Sequence, residues 1–224
     1  MPAFNGFSAQ ARAFYRRLEA DNTREFWTAN KAVYETEVRE PLEALLADLE
    51  PEFGAAKVFR PYRDVRFSRD KTPYKTHQAA LVGGGDGMGW YLQLDADGLL
   101  VGGGFRAHSS EQLAGFRQGV DDEVYGPELE RLLHALDAAG FRREGETLKT
   151  APKGYAADHP RVGLLRHKSL MLVKTFGVPR WLATPAAADR IRESWNALRP
   201  LNGWVSKHVA GTDPSAAAAA TKTR

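Results

Sequence analysis

Cysteine is missing altogether from these 224 residues, which excludes a disulfide framework, a thiol nucleophile and a thiolate-ligated metal centre. No apolar run approaches the roughly 18 residues that a membrane helix requires, so no membrane partner is expected. The opening Met-Pro-Ala-Phe-Asn-Gly-Phe carries neither a basic n-region nor an apolar h-region, so no secretory signal is expected and the protein is read as cytoplasmic. No His-x-x-x-His pair and no paired acidic spacing marks a metal site, and no motif implies a cofactor. Internal repeats and an evident domain linker are lacking too. What remains is ordinary for a globular chain: 43% of residues are apolar and 26% charged, with enough length to bury a sizeable core.

The charge is abundant but unevenly placed. Between Lys57 and His77 lie seven cations (Lys57, Arg60, Arg63, Arg66, Arg69, Lys71, Lys75) and two aspartates (Asp64, Asp70), a local +5 in a chain of net charge +3. Residues 142–180 form a second basic block of net +6, whereas residues 1–56 and 78–141 are acidic, at −4 and −7. Clustering of this kind points to an anion-binding surface more strongly than a pI near 9 would alone. The first block also interleaves Val58, Phe59, Tyr62, Val65, Phe67 and Tyr74, unlike a solvated charge run, and is expected to be folded.

Periodicity predicts an α+β fold of one domain over residues 1–210, a mainly antiparallel central sheet flanked by N- and C-terminal helices, with residues 211–224 a disordered tail. Ser8 and Thr23 are expected to cap the first two helices. Pro41 either kinks the second or opens the next, where Leu42, Leu45, Leu46 and Leu49 form a buried stripe. Strands are predicted at 57–67, 76–82, 90–94, 99–106, 146–150 and 168–176, with Asp95-Ala-Asp-Gly98 turning the hairpin. The glycine-rich run 83–89 reads as a hairpin loop and not a phosphate loop, since no helix starting with lysine follows. Gly102-Gly-Gly104 inside a strand suggests a bulge or close approach of another backbone. Helices are expected after Ser109 or Ser110, from Gly126-Pro127 to Gly140, and as two further segments after Thr184.

If 57–67 is a strand, Arg60, Tyr62, Asp64 and Arg66 share one face. Phe59, Pro61, Arg63, Val65 and Phe67 share the other, which is read as core-facing with Arg63 as its anomaly. The block is then either a salt-bridge ladder or a set of surplus guanidiniums able to bind phosphate or carboxylate bidentately. Asp70 beside Lys71 fits an Asx-type turn, or a carboxylate and an ammonium placed over a ligand. In the second block, Pro152-Lys153-Gly154-Tyr155 can present backbone N–H groups to an anion. Asp158-His159 fits either an acid–base couple or a cap on a helix begun by Pro160.

The stretch Arg60-Pro-Tyr-Arg-Asp-Val-Arg-Phe-Ser-Arg-Asp-Lys-Thr-Pro-Tyr-Lys75 closely resembles the signature of the family called domain of unknown function 2461. The resemblance extends to Phe4-Asn-Gly-Phe7, Asp21-Asn-Thr-Arg-Glu-Phe-Trp27, Trp90-Tyr-Leu-Gln-Leu94, Gly102-Gly-Gly-Phe105, Leu148-Lys-Thr-Ala-Pro-Lys-Gly-Tyr155, Asp158-His-Pro160, Leu164-Leu-Arg-His-Lys-Ser169 and Pro200-Leu-Asn-Gly-Trp204. It covers roughly residues 4–209, with two mild departures, the order of Phe26-Trp27 and His167 before Lys168. It implies kinship and no activity.

The sequence therefore carries an expectation of an anionic small-molecule ligand, held by Arg60, Arg63, Arg66, Lys71, Tyr74, Lys75, Lys153 and Tyr155. The alternatives are an enzyme acting on such a ligand with Asp64, Asp70 or His159 as acid–base groups, a nucleic-acid binder, and a structural salt-bridge network with function in a partner surface. The oligomeric state is left open.

Overall fold

The computed structural model describes residues 3–83 and 88–209. Most of the glycine-rich run and all of the C-terminal tail singled out above lie outside the described residues. The architecture is α+β, as the periodicity predicts. Six strands, β1 (Ala56–Val58), β2 (His77–Val82), β3 (Met88–Asp95), β4 (Gly98–Arg106), β5 (Arg142–Glu144) and β6 (Ser169–Gly177), form an antiparallel sheet in the order β1-β2-β3-β4-β6-β5. Three helices precede it, α1 (Ala9–Ala20), α2 (Arg24–Tyr34) and α3 (Glu40–Phe53). Then come α4 (Ser110–Asp121), α5 (Tyr125–Ala138), the single turn α6 (Val162–Leu165) and α7 (Ala186–Val209). By contacts the chain divides into two compact units, one of residues 1–83, 90–101 and 175–195, the other of residues 84–89, 102–174 and 196–224.

In the first unit the helix starts follow their capping residues. Ser8 Oγ accepts from the N–H groups of Gln10 and Ala11, and Thr23 Oγ1 from that of Phe26. Between α2 and α3, Glu35–Arg39 forms a π-helical turn in which the Glu40 N–H reaches back to the Glu35 carbonyl. Pro41, at the start of α3, has no N–H to donate and its ring would crowd the preceding turn; the wider turn lets the chain pass through it. Both readings of Pro41 thus meet, in a helical path that is widened and restarted. The leucine stripe of α3 is buried, and Phe14 packs against Tyr15, Phe26, Trp27 and Tyr34.

β2 pairs along its length with β3, Ala80 facing Leu92. The hairpin after β3 closes where Asp95 Oδ1 accepts from the N–H groups of Asp97 and Gly98.

The strand predicted over 57–67 is only three residues long and pairs with β2 from Ala56↔Val82 to Val58↔Ala80. The Gln78 side chain, through Nε2, takes the Phe59 carbonyl at 2.7 Å. Two residues later Pro61 has no N–H to give a ladder. Residues 59–76 are consequently a loop, and their side chains do not alternate between two faces. Phe67, expected in the core, is 97% exposed.

In the second unit, α4 starts on Ser109, whose Oγ accepts from the Gln112 N–H. Phe105, Phe116, Leu129, Leu133 and Leu165 are buried, with Phe105 and Phe116 stacked at 5.0 Å. The strand expected at 146–150 lies upstream at β5, where Arg143 faces Leu172, and Thr147 makes only an isolated bridge with His167. The close backbone approach inferred for Gly102-Gly-Gly104 is realised: a Cβ on Gly104 would lie 2.2 Å from the Leu170 carbonyl oxygen. The two helices expected after Thr184 are one, α7, which continues through Pro200. Trp195, Leu198, Leu201, Trp204 and Val205 along it are all buried; their packing outweighs the hydrogen bond that proline forfeits.

Candidate functional site

Loop 59–76 is closed at its base. Tyr62 and Tyr74 form an isolated antiparallel bridge, the Arg63 N–H donates to the Pro73 carbonyl at 2.9 Å, and the Lys75 N–H donates to that of Pro61 at 2.8 Å. Tyr74 is buried and stacks on Trp27 of α2 at 4.3 Å with the rings nearly parallel. Its backbone is held by one side chain: the Tyr74 N–H donates to Asn22 Oδ1 at 3.1 Å, and Asn22 Nδ2 donates to the Tyr74 carbonyl at 3.0 Å. Tyr74 is therefore the loop's anchor, and its ring faces the core.

Above this base the charges organise each other. Arg66 forks onto Asp64, Nε to Oδ1 at 2.9 Å and Nη2 to Oδ2 at 2.6 Å, while its own N–H donates to Asp64 Oδ1. Arg63 pairs with Asp70 and donates to Thr72 Oγ1 at 2.6 Å. Asp70 Oδ1 accepts from both the N–H and the hydroxyl of Thr72, which is the Asx-type turn. Lys71 Nζ reaches across to the Val65 carbonyl at 2.8 Å, and Lys75 lies over the Phe59 ring, Nζ 5.3 Å from its centre. Burial, then the nearby Arg60, lowers the Lys75 pKa.

These bonds hold both carboxyls ionised. The Arg66 side chain and then its N–H lower Asp64; the Thr72 N–H, the Thr72 hydroxyl and Arg63 take Asp70 down to about 2. Since folding depresses the Asp70 pKa, its contribution to loop order is present above the ordinary value and is lost as pH falls through about 2. Carboxylates of this kind are neither proton donors at neutral pH nor strong bases. Arg60 and Arg69 are exposed and form no hydrogen bond or ion pair among the described residues.

Residues 142–174 of the second block lie in the other unit. His159 does not pair with Asp158, which is exposed. Its Nε2 lies 3.0 Å from Asp121 Oδ1, and its Nδ1 accepts the Arg161 N–H at 3.0 Å. That assignment puts the ring proton on Nε2 and leaves neither nitrogen free for proton transfer. Tyr155 packs edge-on to His159, and burial, then the Asp121 charge, raises its pKa. Arg161 donates to the carbonyls of Val120, Asp121 and Asp122, closing the C-terminal end of α4. Lys149 and Lys153 are exposed and without a partner among the described residues. No group of three or more His, Asp or Glu side chains is placed to hold a metal ion, and no helix is long and apolar enough to cross a membrane, among the described residues.

The profile of a family described as "Conserved hypothetical protein (DUF2461)" matches residues 10–204. The chain belongs to the DUF2461 family. No curated protein and no solved structure matches it. In this DUF2461 member the long charged motif is a self-braced loop riveted to α2. Sequence reasoning missed two of its parts, and one residue of the other unit. Asn22 was visible only as a member of the Asp21–Trp27 motif that resembles the family, with nothing to mark its side chain as a partner for Tyr74. Thr72 was hidden among more conspicuous charges. Asp121, the partner of His159, carries no local signal, being 38 residues away in sequence.

Proposed function

We propose that loop 59–76 binds an anionic ligand through phosphate or carboxylate oxygens. The observation that supports this most is the division of labour among its arginines. Arg63 and Arg66 are occupied by Asp70 and Asp64, which braces the loop, and Arg60 and Arg69 are left exposed without a hydrogen-bonded or ion-paired partner among the described residues, Arg60 feeling Asp64 only through its charge. A guanidinium held out on a pre-shaped loop loses less freedom on meeting an oxyanion than one on a flexible chain. Isothermal titration with inorganic pyrophosphate tests the reading. Wild type should bind at millimolar concentrations or below, and Arg60→Ala or Arg69→Ala should weaken binding by roughly tenfold, the scale of one hydrogen bond to a charged group. No binding by wild type, or binding indifferent to both substitutions, would overturn the proposal.

The two internal ion pairs also favour a second reading, in which the charges serve only to shape the loop. Under it, pyrophosphate does not bind at all. Acid–base chemistry by Asp64, Asp70 or His159 draws less support, because both carboxyls are held ionised and both His159 nitrogens are engaged.

A further inference from the structure

We infer that the anion taken by this loop is the backbone of a single-stranded nucleic acid, with Phe67 as the platform on which a base stacks. The inference rests on the anion-binding reading above. Phe67 is 97% exposed, and burying a ring is among the stronger drives in folding, so its position is unusual. The position is also built. The Ser68 N–H closes a turn onto the Val65 carbonyl, Lys71 Nζ holds that same carbonyl from across the loop, and Asp64 fixes Arg66 at both backbone and side chain. Phe67 is the third residue of this turn, at its tip, between Arg66 and Arg69. Tyr62, 48% exposed, gives the same loop a second partly open ring.

A small anion would need the cations and not the phenyl ring. A single-stranded nucleic acid uses both, since phosphates are tracked by cations while unpaired bases stack on aromatics without regard to sequence. A duplex offers no unstacked base to receive the ring. A lipid surface fits less well. Phe67 is the sole strongly exposed apolar side chain among residues 59–76, and its neighbours Arg66, Ser68, Arg69 and Asp70 are polar. Interfacial insertion draws on a broader apolar face. The unpaired cations are, besides, arginines, whose planar fork suits phosphate.

The test is fluorescence anisotropy of a labelled oligo(dT) of about 12 nucleotides, within the usual footprint of such sites. A duplex of the same length, phosphatidylserine–phosphatidylcholine vesicles and pyrophosphate serve as comparisons. Phe67→Ala removes an exposed side chain and should leave the fold intact. It should weaken oligo(dT) binding about 5- to 140-fold, which is the usual 1–3 kcal/mol per stacked base converted at 1.4 kcal/mol per tenfold. It should leave pyrophosphate affinity unchanged, Phe67→Trp should retain oligo(dT) binding, and the single strand should bind more tightly than the duplex. Arg69→Ala should weaken both oligo(dT) and pyrophosphate. Oligo(dT) binding unaltered by Phe67→Ala, or equal affinity for single strand and duplex, would overturn the stacking inference while the pyrophosphate result keeps the anion-binding reading. Vesicle binding that depends on Phe67, without oligo(dT) binding, would overturn it in favour of a membrane surface. Failure of both pyrophosphate and oligo(dT) to bind would overturn both.

Discussion

Asn22 does with one side chain what two paired backbones do along a strand: its carboxamide gives and receives a hydrogen bond at the main chain of Tyr74, 52 residues away. The partly buried N–H and carbonyl of Tyr74 have no other hydrogen-bond partner among the described residues, so Asn22→Ala leaves both to be desolvated unpaired. At about 1–3 kcal/mol for a group so stranded, the substitution should lower stability by about 2–3 kcal/mol in urea unfolding. It should also free the base of the loop, visible as faster hydrogen exchange at the amides of Arg63, Tyr74 and Lys75. Asn22→Asp, which keeps the acceptor and loses the donor, should fall between. Phe67 makes the opposite case at the same scale: it owes its exposure to what surrounds it in the loop, and no property of phenylalanine itself predicts a ring in water.

At the scale of elements, most of the architecture was legible and one strand was not. The helix starts were readable because Ser8, Thr23 and Ser109 act locally, each accepting from an N–H group two or three residues on. The Gly102–Gly104 run was readable because glycine inside a strand has few causes. Gly104 has φ of 139° and its Cβ would lie 2.2 Å from the Leu170 carbonyl oxygen of β6, so Gly104→Ala adds backbone strain to a clash with main chain that cannot swing away. It should destabilise by about 2–4 kcal/mol in chemical denaturation, whereas an alanine at the open Gly163 should change stability little. The strand expected at 57–67 failed for a reason that alternation cannot register. Phe59, Pro61, Val65 and Phe67 do fall at alternate positions, but the ladder also needs N–H donors and a free partner edge. Gln78 occupies the Phe59 carbonyl and Pro61 supplies no donor. Once pairing stops, alternation has no face to point to, and the spacing of Arg60, Arg63 and Arg66 says nothing about which side each occupies. The ion pairs Arg63–Asp70 and Arg66–Asp64 were present in the sequence as charges, but which carboxylate meets which guanidinium was set by the turn chemistry of Thr72 and Ser68.

Over the whole molecule, net charge proves a poor guide to which cations are available. Residues 142–180 carry +6, yet much of that charge is already engaged within the protein. Arg143 pairs with Asp137 and Lys168 with Glu146, Arg166 donates to the Leu148 carbonyl, and Arg161 donates to three carbonyls at the end of α4. Counting charges cannot reveal this, because a backbone carbonyl is an acceptor that every residue carries. Arg161 is the most committed of them. Its Nε and Nη2 lie 2.6 and 2.9 Å from the carbonyl oxygens of Val120 and Asp121, where four carbonyls lack helical partners and the helix dipole favours a cation. Gly126 makes the space, since a Cβ there would sit 2.4 Å from Arg161 Nε. Arg161→Ala should therefore destabilise the protein by about 2–4 kcal/mol, combining lost charge-assisted bonds with stranded carbonyls. Arg161→Lys should recover only part of this, because one ammonium cannot reproduce the fork. Gly126→Ala should destabilise as well, since its Cβ would meet both the Val120 carbonyl oxygen, 2.3 Å away, and the guanidinium. Lys153→Ala, at an exposed cation without a partner, should leave the melting curve unchanged. If Arg161→Ala instead melted with wild type while Lys153→Ala did not, the basic block would be a surface charge cluster after all, and the capping role assigned to Arg161 would be wrong.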